Sequence, residues 1–143
     1  MISFDNLITY HGTSESVADD LVVGNVQISR GGGELGKGFY LGTQLHVAKA
    51  WAKQMHNSQA VVEFCTFEER FFEFDIRVLD YEQAHTARDE IRAKQATRTF
   101  TFGNDVVWSP IVGGPEIYCD QHKWESHHGE GFLNSAFVMR RKR

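Results

Sequence analysis

The residues best suited to chemistry stand in three short segments that lie far apart in the chain. Residues 10–13 read Tyr-His-Gly-Thr, residues 38–43 read Gly-Phe-Tyr-Leu-Gly-Thr, and residues 121–125 read Gln-His-Lys-Trp-Glu. Imidazole, phenol, amide and carboxylate groups hydrogen-bond substrates and move protons. The glycines of the first two segments let the backbone approach a ligand closely. These segments are the candidates for an active site.

Glycines crowd residues 31–38, as they do in phosphate-binding loops. The pattern GxxxxGK[ST] requires Ser or Thr directly after Gly-Lys, because that hydroxyl binds Mg²⁺, but here Gly38 follows Lys37. The dinucleotide fingerprint GxGxxG requires a surrounding βαβ unit, and the pattern around these residues predicts none. Both kinds of phosphate loop are therefore excluded, and a flexible surface loop is the plain alternative.

Three histidines near the C-terminus are candidates for a metal site. His127 and His128 are adjacent, and His122 precedes them. Zinc sites combine imidazoles and thiolates at regular spacings, and this cluster has neither the spacing nor the thiolates. We predict that the protein binds no metal.

A strand leads into the first segment and a helix follows the second. The apolar, β-prone residues 7–10 predict a strand that ends at His11, and residues 14–21 predict a short helix. The clearest helix spans residues 44–55, with Thr43 as its N-cap. Its apolar positions, which share one face, are Ala48, Trp51, Ala52 and Met55.

The remaining elements indicate the fold class. We predict strands over residues 60–65, 71–76, 105–108 and 121–125, an extended segment at 117–119, an exposed helix over 81–96, and a closing helix or strand over 131–139. Strands outnumber helices without regular alternation, which favours an α+β fold over a doubly wound one. We expect one domain over residues 1–143, with split antiparallel sheets and flanking helices.

Composition and charge narrow the class of protein. The net charge is −4, which argues against a protein that coats nucleic acid. No apolar run reaches the roughly 20 residues that span a bilayer, and the N-terminus lacks a secretory layout. Cys65 and Cys119 form no disulfide framework. We expect a cytoplasmic protein with no membrane association. The basic residues 140–143 predict a solvated tail, or alternatively a local contact to an anionic substrate such as RNA.

The order of these motifs resembles a known family. His-Gly-Thr at residues 11–13, Gly-Phe-Tyr-Leu-Gly-Thr at residues 38–43, the alanine-rich helix with Trp51 and the late Glu125 are similar to the ADP-ribosyltransferase superfamily of the His-Tyr-Glu type. That superfamily includes the poly-ADP-ribose polymerases, the diphtheria-type toxins, and small bacterial and phage-associated toxins. The resemblance implies the ADP-ribosyltransferase-like fold and NAD as a consumed co-substrate.

The resemblance also implies roles for individual residues. His11 would bind a ribose hydroxyl of NAD, the Gly12 backbone would pair with the nicotinamide carboxamide, and Tyr40 would stack on the nicotinamide ring. Glu125 would bind the 2′-hydroxyl of the ribose under attack and polarise the acceptor. The full set of residues implied to contact NAD is His11, Gly12, Thr13, Arg30, Lys37, Phe39, Tyr40 and Thr43.

The third motif and the acceptor each admit more than one assignment. Small related families place Gln rather than Glu in the third motif, so Gln121 competes with Glu125, and Glu116 and Glu130 are fallbacks. For acceptor binding we expect Gln121, His122 and Trp124. Aromatic and His side chains suit unstacked bases, which slightly favours a nucleic-acid acceptor such as RNA over protein.

The sequence thus predicts an NAD-dependent mono-ADP-ribosyltransferase that modifies a macromolecule. A toxin or defence effector, with a possible antitoxin partner, is the expected setting. The alternatives are an antibiotic-modifying ADP-ribosyltransferase, an RNA 2′-phosphotransferase of the same fold, and an inactive NAD-binding or interaction module.

Overall fold

The computed structural model describes residues 5–113 and 118–143. Ile117, predicted to be extended, and the fallback Glu116 lie outside the described residues. The strands are β1 (Asn6–Thr13), β2 (Gly32–Gly33), β3 (Gly36–Lys37), β4 (Phe39–Gly42), β5 (Ala60–Phe67), β6 (Ile76–Val78), β7 (Val106–Pro110), β8 (Asp120–Trp124) and β9 (Met139–Lys142). The helices are α1 (Glu15–Val22), α2 (Leu45–His56), α3 (Glu68–Phe71), α4 (Tyr81–Ala93) and α5 (His127–Leu133), and a 3-10 turn covers Ile28–Arg30.

Seven of these strands form one mixed sheet. Their order is β6-β7-β8-β4-β1-β5-β9, with a parallel pair at β6-β7 and antiparallel pairs elsewhere. Strands β2 and β3 form a separate hairpin. The predicted α+β class is confirmed. In the described residues, however, the main strands form a single sheet and not two antiparallel ones, because β4 bridges β1 to β8.

Buried side chains pack on both faces of the sheet. Phe39 and Leu41 belong to a large cluster, whereas Tyr40, which stands between them on β4, packs against a smaller one. Successive side chains of a strand point to opposite faces. We therefore call the side of Phe39 the first face and the side of Tyr40 the second face. Helices α1, α3 and α5 contribute to the first face, and α4 contributes to the second.

The predicted strand over residues 71–76 is wrong. Helix α3 ends at Phe71, a turn follows, and β6 begins only at Ile76. Phe71 is buried and Phe72 is exposed. The aromatic run resembles a strand, but its rings are used differently: Phe71 is buried in the core against Trp108 and Trp124, and Phe74 packs at the core's edge against Trp124.

Helix α2 forms where predicted, although its start and its apolar face differ from the prediction. Gln44 is the N-cap, and its side chain makes no capping hydrogen bond. Thr43, the predicted N-cap, donates its hydroxyl to Asp120 on β8 instead. Ala48 and Ala52 are buried, but Trp51 and Met55 are more than half exposed.

The basic C-terminus is a strand and not a free tail. Residues 139–142 form β9, which pairs with β5. Arg141 and Arg143 each contact Glu63 at 2.7 Å, and Lys142 contacts Asp19. Arg140 donates to three carbonyl groups near the end of α5. The prediction of a tail is therefore wrong, because these residues pair in the sheet and each cation has a partner, but Arg141, Lys142 and Arg143 remain exposed to solvent as predicted.

Candidate functional site

Strands β1 and β4 separate in the middle of the sheet. All eight residues of β1 pair with β5, and all four residues of β4 pair with β8. Between β1 and β4 the ladder holds a single pair, Tyr10 with Gly42. We call the gap between residues 11–13 of β1 and residues 39–41 of β4 the β1–β4 opening.

The backbone of Gly12 faces this opening. Successive residues of an antiparallel strand direct their N–H and C=O groups to alternate sides. The Val61 carbonyl accepts the Arg143 N–H at 2.8 Å on the β9 side, so Val62 turns its groups toward β1. Because Val62 pairs with His11, His11 bonds to β5 and Gly12 directs its N–H and C=O toward β4.

The imidazole of His11 takes the place of a ladder bond. Its Nδ1–H donates to the Tyr40 carbonyl at 2.7 Å, and its ring stacks on Phe39 with 4.4 Å between centroids. In an unbroken ladder, Gly12 would be the partner of Tyr40. A carbonyl oxygen only accepts, so Nδ1 carries the proton and Nε2 remains an acceptor. His11 is half-buried on β1.

Burial keeps the His11 ring neutral. Desolvation lowers the pKa of His11 below its ordinary value of 6.5, and the hydrogen bond to Tyr40 raises it only in part. A small repulsion from His56 lowers the same pKa further. Near neutral pH the ring therefore presents an unprotonated Nε2.

Gly12 is required by packing as well as by its place at the opening. A Cβ at this position would lie 2.0 Å from the Ala48 carbonyl oxygen of α2. The helix thus covers the second face of β1 at Gly12. Thr13, which follows, is 3% exposed and belongs to the wall of the fold rather than to an accessible surface.

Tyr40 is held against the β2–β3 hairpin. Its hydroxyl donates to the Gly36 carbonyl at 2.6 Å and accepts the Leu35 N–H at 3.1 Å. Its ring packs over Gly33, where a Cβ would lie 2.9 Å from the phenol carbon. Burial raises the pKa of Tyr40, and so do the nearby carboxylates, although the Leu35 bond lowers it. Tyr40 is therefore a fixed, half-buried and neutral wall.

A row of paired residues crosses the second face beside this wall. Tyr10 on β1 pairs with Gly42 on β4, which pairs with Gln121 on β8, which pairs with Ser109 on β7. A Cβ at Gly42 would meet only the Tyr10 carbonyl, at 3.9 Å. The surface above Gly42 is therefore open, and Gln121 stands next to it.

The side chain of Gln121 is oriented by Glu34, which occupies the tip of the β2–β3 hairpin. The Gln121 Nε2–H donates to Glu34 at 2.9 Å. Glu34 also accepts the N–H groups of Val112 at 3.0 Å and Gly113 at 2.7 Å, and Arg88 lies 3.5 Å away. The sequence reading missed Glu34, since a single acidic residue among glycines carries no signal of its own.

Glu125 has no acceptor position left. Its carboxylate accepts the backbone N–H groups of Phe102, Gly103 and Asn104 at 2.8–3.1 Å, and it contacts the Lys123 ammonium at 2.5 Å. A carboxylate offers about four such positions. Glu125 and Lys123 are both buried. Burial lowers the pKa of Lys123, while the bond to Glu125 raises it.

The other residues implied to contact NAD lie on or near the β2–β3 hairpin and strand β4. Arg30 is exposed, and its carbonyl accepts from Arg98 at 3.0 Å. Lys37 is half-buried on β3, and Phe39 is buried beneath His11. The Thr43 hydroxyl is engaged with Asp120.

Two residues expected to bind the acceptor are in the core instead. His122 and Trp124 lie on the first face and are 2% and 3% exposed. His122 stacks on Phe71 at 4.6 Å, and its pKa is lowered by burial to about 4. Both ring nitrogens of His122 lack a hydrogen-bond partner. Neither side chain is accessible to a base, and the predicted basic tail is absorbed in β9.

The remaining candidates are structural. Glu130, a fallback for the third motif, accepts the Ile28 N–H at 3.0 Å and ties α5 to the 3-10 turn. Among residues 5–113 and 118–143, no group of three His, Cys, Asp or Glu side chains is arranged to hold a metal ion. In that same part of the chain, every helix is too short or too polar to cross a membrane.

No protein-family model matches the chain, and no curated protein matches it.

Proposed function

We propose that the protein is an NAD-dependent mono-ADP-ribosyltransferase whose site is the β1–β4 opening and the adjoining second face. The observation that carries the proposal is the interrupted ladder. There the His11 imidazole donates a hydrogen bond to the Tyr40 carbonyl, and the N–H and C=O groups of Gly12 point into the gap. The motif resemblance supplies the class of reaction, and this geometry supports it.

The opening suits the nicotinamide end of NAD. A carboxamide presents one N–H donor and one carbonyl acceptor in a plane, which matches the C=O and N–H of one extended residue such as Gly12. The acceptor Nε2 of His11 would receive a hydrogen bond from a ribose hydroxyl. Tyr40 would supply a flat aromatic surface for a cationic ring, and its hydroxyl bonds fix that surface in advance.

For the third motif we now assign Gln121 in place of Glu125. Glu125 is fully engaged by the loop at residues 102–104 and by Lys123. Gln121 is buried, at 5% exposed, but it stands beside the open position at Gly42, and the bond from its Nε2 to Glu34 turns its Oε1 away from Glu34. This oxygen would accept the 2′-hydroxyl proton of the nicotinamide ribose.

The reaction is a substitution at the ribose anomeric carbon. The bond from this carbon to the nicotinamide nitrogen breaks, and its electron pair leaves with neutral nicotinamide. A nucleophile of the acceptor forms the new bond and loses its proton to solvent or to a base. The transition state carries positive charge on the ribose, so acceptors such as Gln121 Oε1 and His11 Nε2 that bind its hydroxyls would stabilise it.

The first test is release of nicotinamide from NAD by the purified chain, measured by chromatography. We expect release by the wild-type protein, little release by Tyr40→Ala, and partial release by Tyr40→Phe, which keeps the ring. Lys94→Met, on the exposed end of α4, is the matched control. Full release by Tyr40→Ala, or none by the wild type, overturns the proposal.

The acceptor is identified in a second test. Cell extract is incubated with the protein and labelled NAD, and portions are digested with protease or nuclease. Loss of labelled polymer on one digestion assigns the macromolecule. Growth arrest on expression, relieved by Gln121→Ala, is the expected result for a toxin or defence effector.

A further inference from the structure

We propose that Glu34 is a positioning residue that orients the amide of Gln121 for NAD cleavage. The inference rests on the proposed function and adds to it a residue outside the three motifs. Glu34 lies at the tip of the β2–β3 hairpin, and Gln121 lies on β8. The contact between them joins the hairpin that holds Tyr40 to the strand that carries Gln121.

The chemistry of the contact decides which way the amide points. A carboxylate without a proton only accepts hydrogen bonds, so the Gln121 NH₂ must face Glu34. The Gln121 Nε2 and Glu34 Oε1 are 2.9 Å apart. The amide oxygen is thereby directed away from Glu34, and it is the group that would accept a ribose hydroxyl. Without Glu34 the amide could turn over and present a donor in place of the acceptor.

Glu34 is itself fixed in place. Its Oε1 accepts the Val112 N–H, its Oε2 accepts the Gly113 N–H, and Arg88 lies 3.5 Å from the same Oε2. The Glu34 side chain is 15% exposed. A carboxylate held by two backbone donors and one cation keeps its position, so it can impose an orientation on its neighbour.

The same contact explains why an amide suits position 121. A Glu at this position would place a second carboxylate within hydrogen-bond distance of Glu34. Two carboxylates so close resist ionising together, so the pKa of one of them would be raised. The pair of Glu34 and Gln121 provides one carboxylate and one oriented acceptor without this conflict.

The test is a charge exchange between the two positions. We expect Glu34→Gln to lower kcat for nicotinamide release about tenfold or more with a smaller change in KM, since an interaction of the transition state is lost. Gln121→Glu should show a rate that falls as the pH rises through the raised pKa of the paired carboxylates. The double variant E34Q/Q121E restores one carboxylate and one amide, so it should recover much of the rate and lose this pH dependence. Lys94→Met, at an exposed position and outside the contacts of Glu34 and Gln121, is the matched control.

A second measurement is independent of turnover. The ¹⁵N side-chain amide resonance of Gln121 should shift in Glu34→Gln and stay in place in Lys94→Met, while urea unfolding confirms that each variant is folded. An active wild type with an equally active Glu34→Gln overturns the role of Glu34 alone, and so does a double variant no better than the single ones. A wild type that releases no nicotinamide overturns the proposed function and the role of Glu34 with it. The amide shift then still reports whether the contact exists.

Discussion

The Nδ1 atom of His11 donates to the carbonyl oxygen of Tyr40 across 2.7 Å, so a side chain occupies a position that a sheet normally gives to backbone. This contact fixes the tautomer of the ring and leaves Nε2 as an acceptor. We expect His11→Asn, which keeps a donor for the carbonyl but has no Nε2, to release nicotinamide about 10²–10³-fold more slowly than the wild type. The urea midpoint should change little. A His11→Asn variant with the wild-type rate would contradict the assignment.

The protonation state of His11 predicts how the rate of nicotinamide release depends on pH. Because burial lowers the pKa of this ring below 6.5, the neutral acceptor form persists when the pH is brought down to that value. Nicotinamide release should therefore hold steady to pH 6.5 and decline only at lower pH. An NMR titration of the His11 ring checks the cause, and a ring that is half protonated at pH 6.5 would count against it.

The buried pair of Lys123 and Glu125 should be important for stability. Removing the ammonium leaves a buried carboxylate with only the backbone donors of residues 102–104. We expect Lys123→Met to lower the free energy of unfolding by about 3–5 kcal/mol, measured by urea unfolding. Lys94→Met, at an exposed position, should change it by less than about 0.5 kcal/mol. Equal stability of the two variants would show that the pair is not structural.

The burial of His122 should make the stability of the fold depend on pH. Burial lowers its pKa to about 4 in the folded protein, while the unfolded chain binds the proton near 6.5. The unfolded state therefore takes up more protons between these values, and stability is lost as the pH falls through this window, by about 3 kcal/mol.

The variant His122→Phe isolates that effect. Phe can keep the stacking on Phe71 and has no titrating group. Between pH 6.5 and 4, the free energy of unfolding should depend on pH less steeply than in the wild type, because one titrating group is gone. His127→Gln, at an exposed position, should retain the wild-type slope. An unchanged slope in His122→Phe would locate the effect elsewhere.

Glycine at position 12 is a requirement of packing. The new Cβ of Gly12→Ala would lie 2.0 Å from the Ala48 carbonyl oxygen, so α2 must move. We expect a loss of about 1–3 kcal/mol of unfolding free energy or more. Gly131→Ala in α5 meets nothing within 4 Å and should be neutral or gain up to about 1 kcal/mol from helix propensity. Thermal or urea unfolding of the two variants makes the comparison, and equal stabilities would refute it.

Much of the fold could be predicted from local pattern. The apolar, β-prone composition of β1 and the helical period of α2 depend on neighbours within one element, so sequence alone indicates them. The strand predicted over residues 71–76 failed for the opposite reason. Its aromatic composition suits a strand, but the place of Phe71 in the core is set by distant residues such as Trp108 and Trp124.

The sequence by itself determined the α+β class, most of the elements and the set of candidate side chains, because residue type and period are local properties. Only the tertiary structure decided how these side chains are used. It separated β1 from β4 beside His11, engaged Glu125 with the loop at 102–104, and placed Glu34 against Gln121. The physical reason is that hydrogen-bond saturation and burial depend on groups brought together from distant parts of the chain. A sequence pattern does not contain those distances.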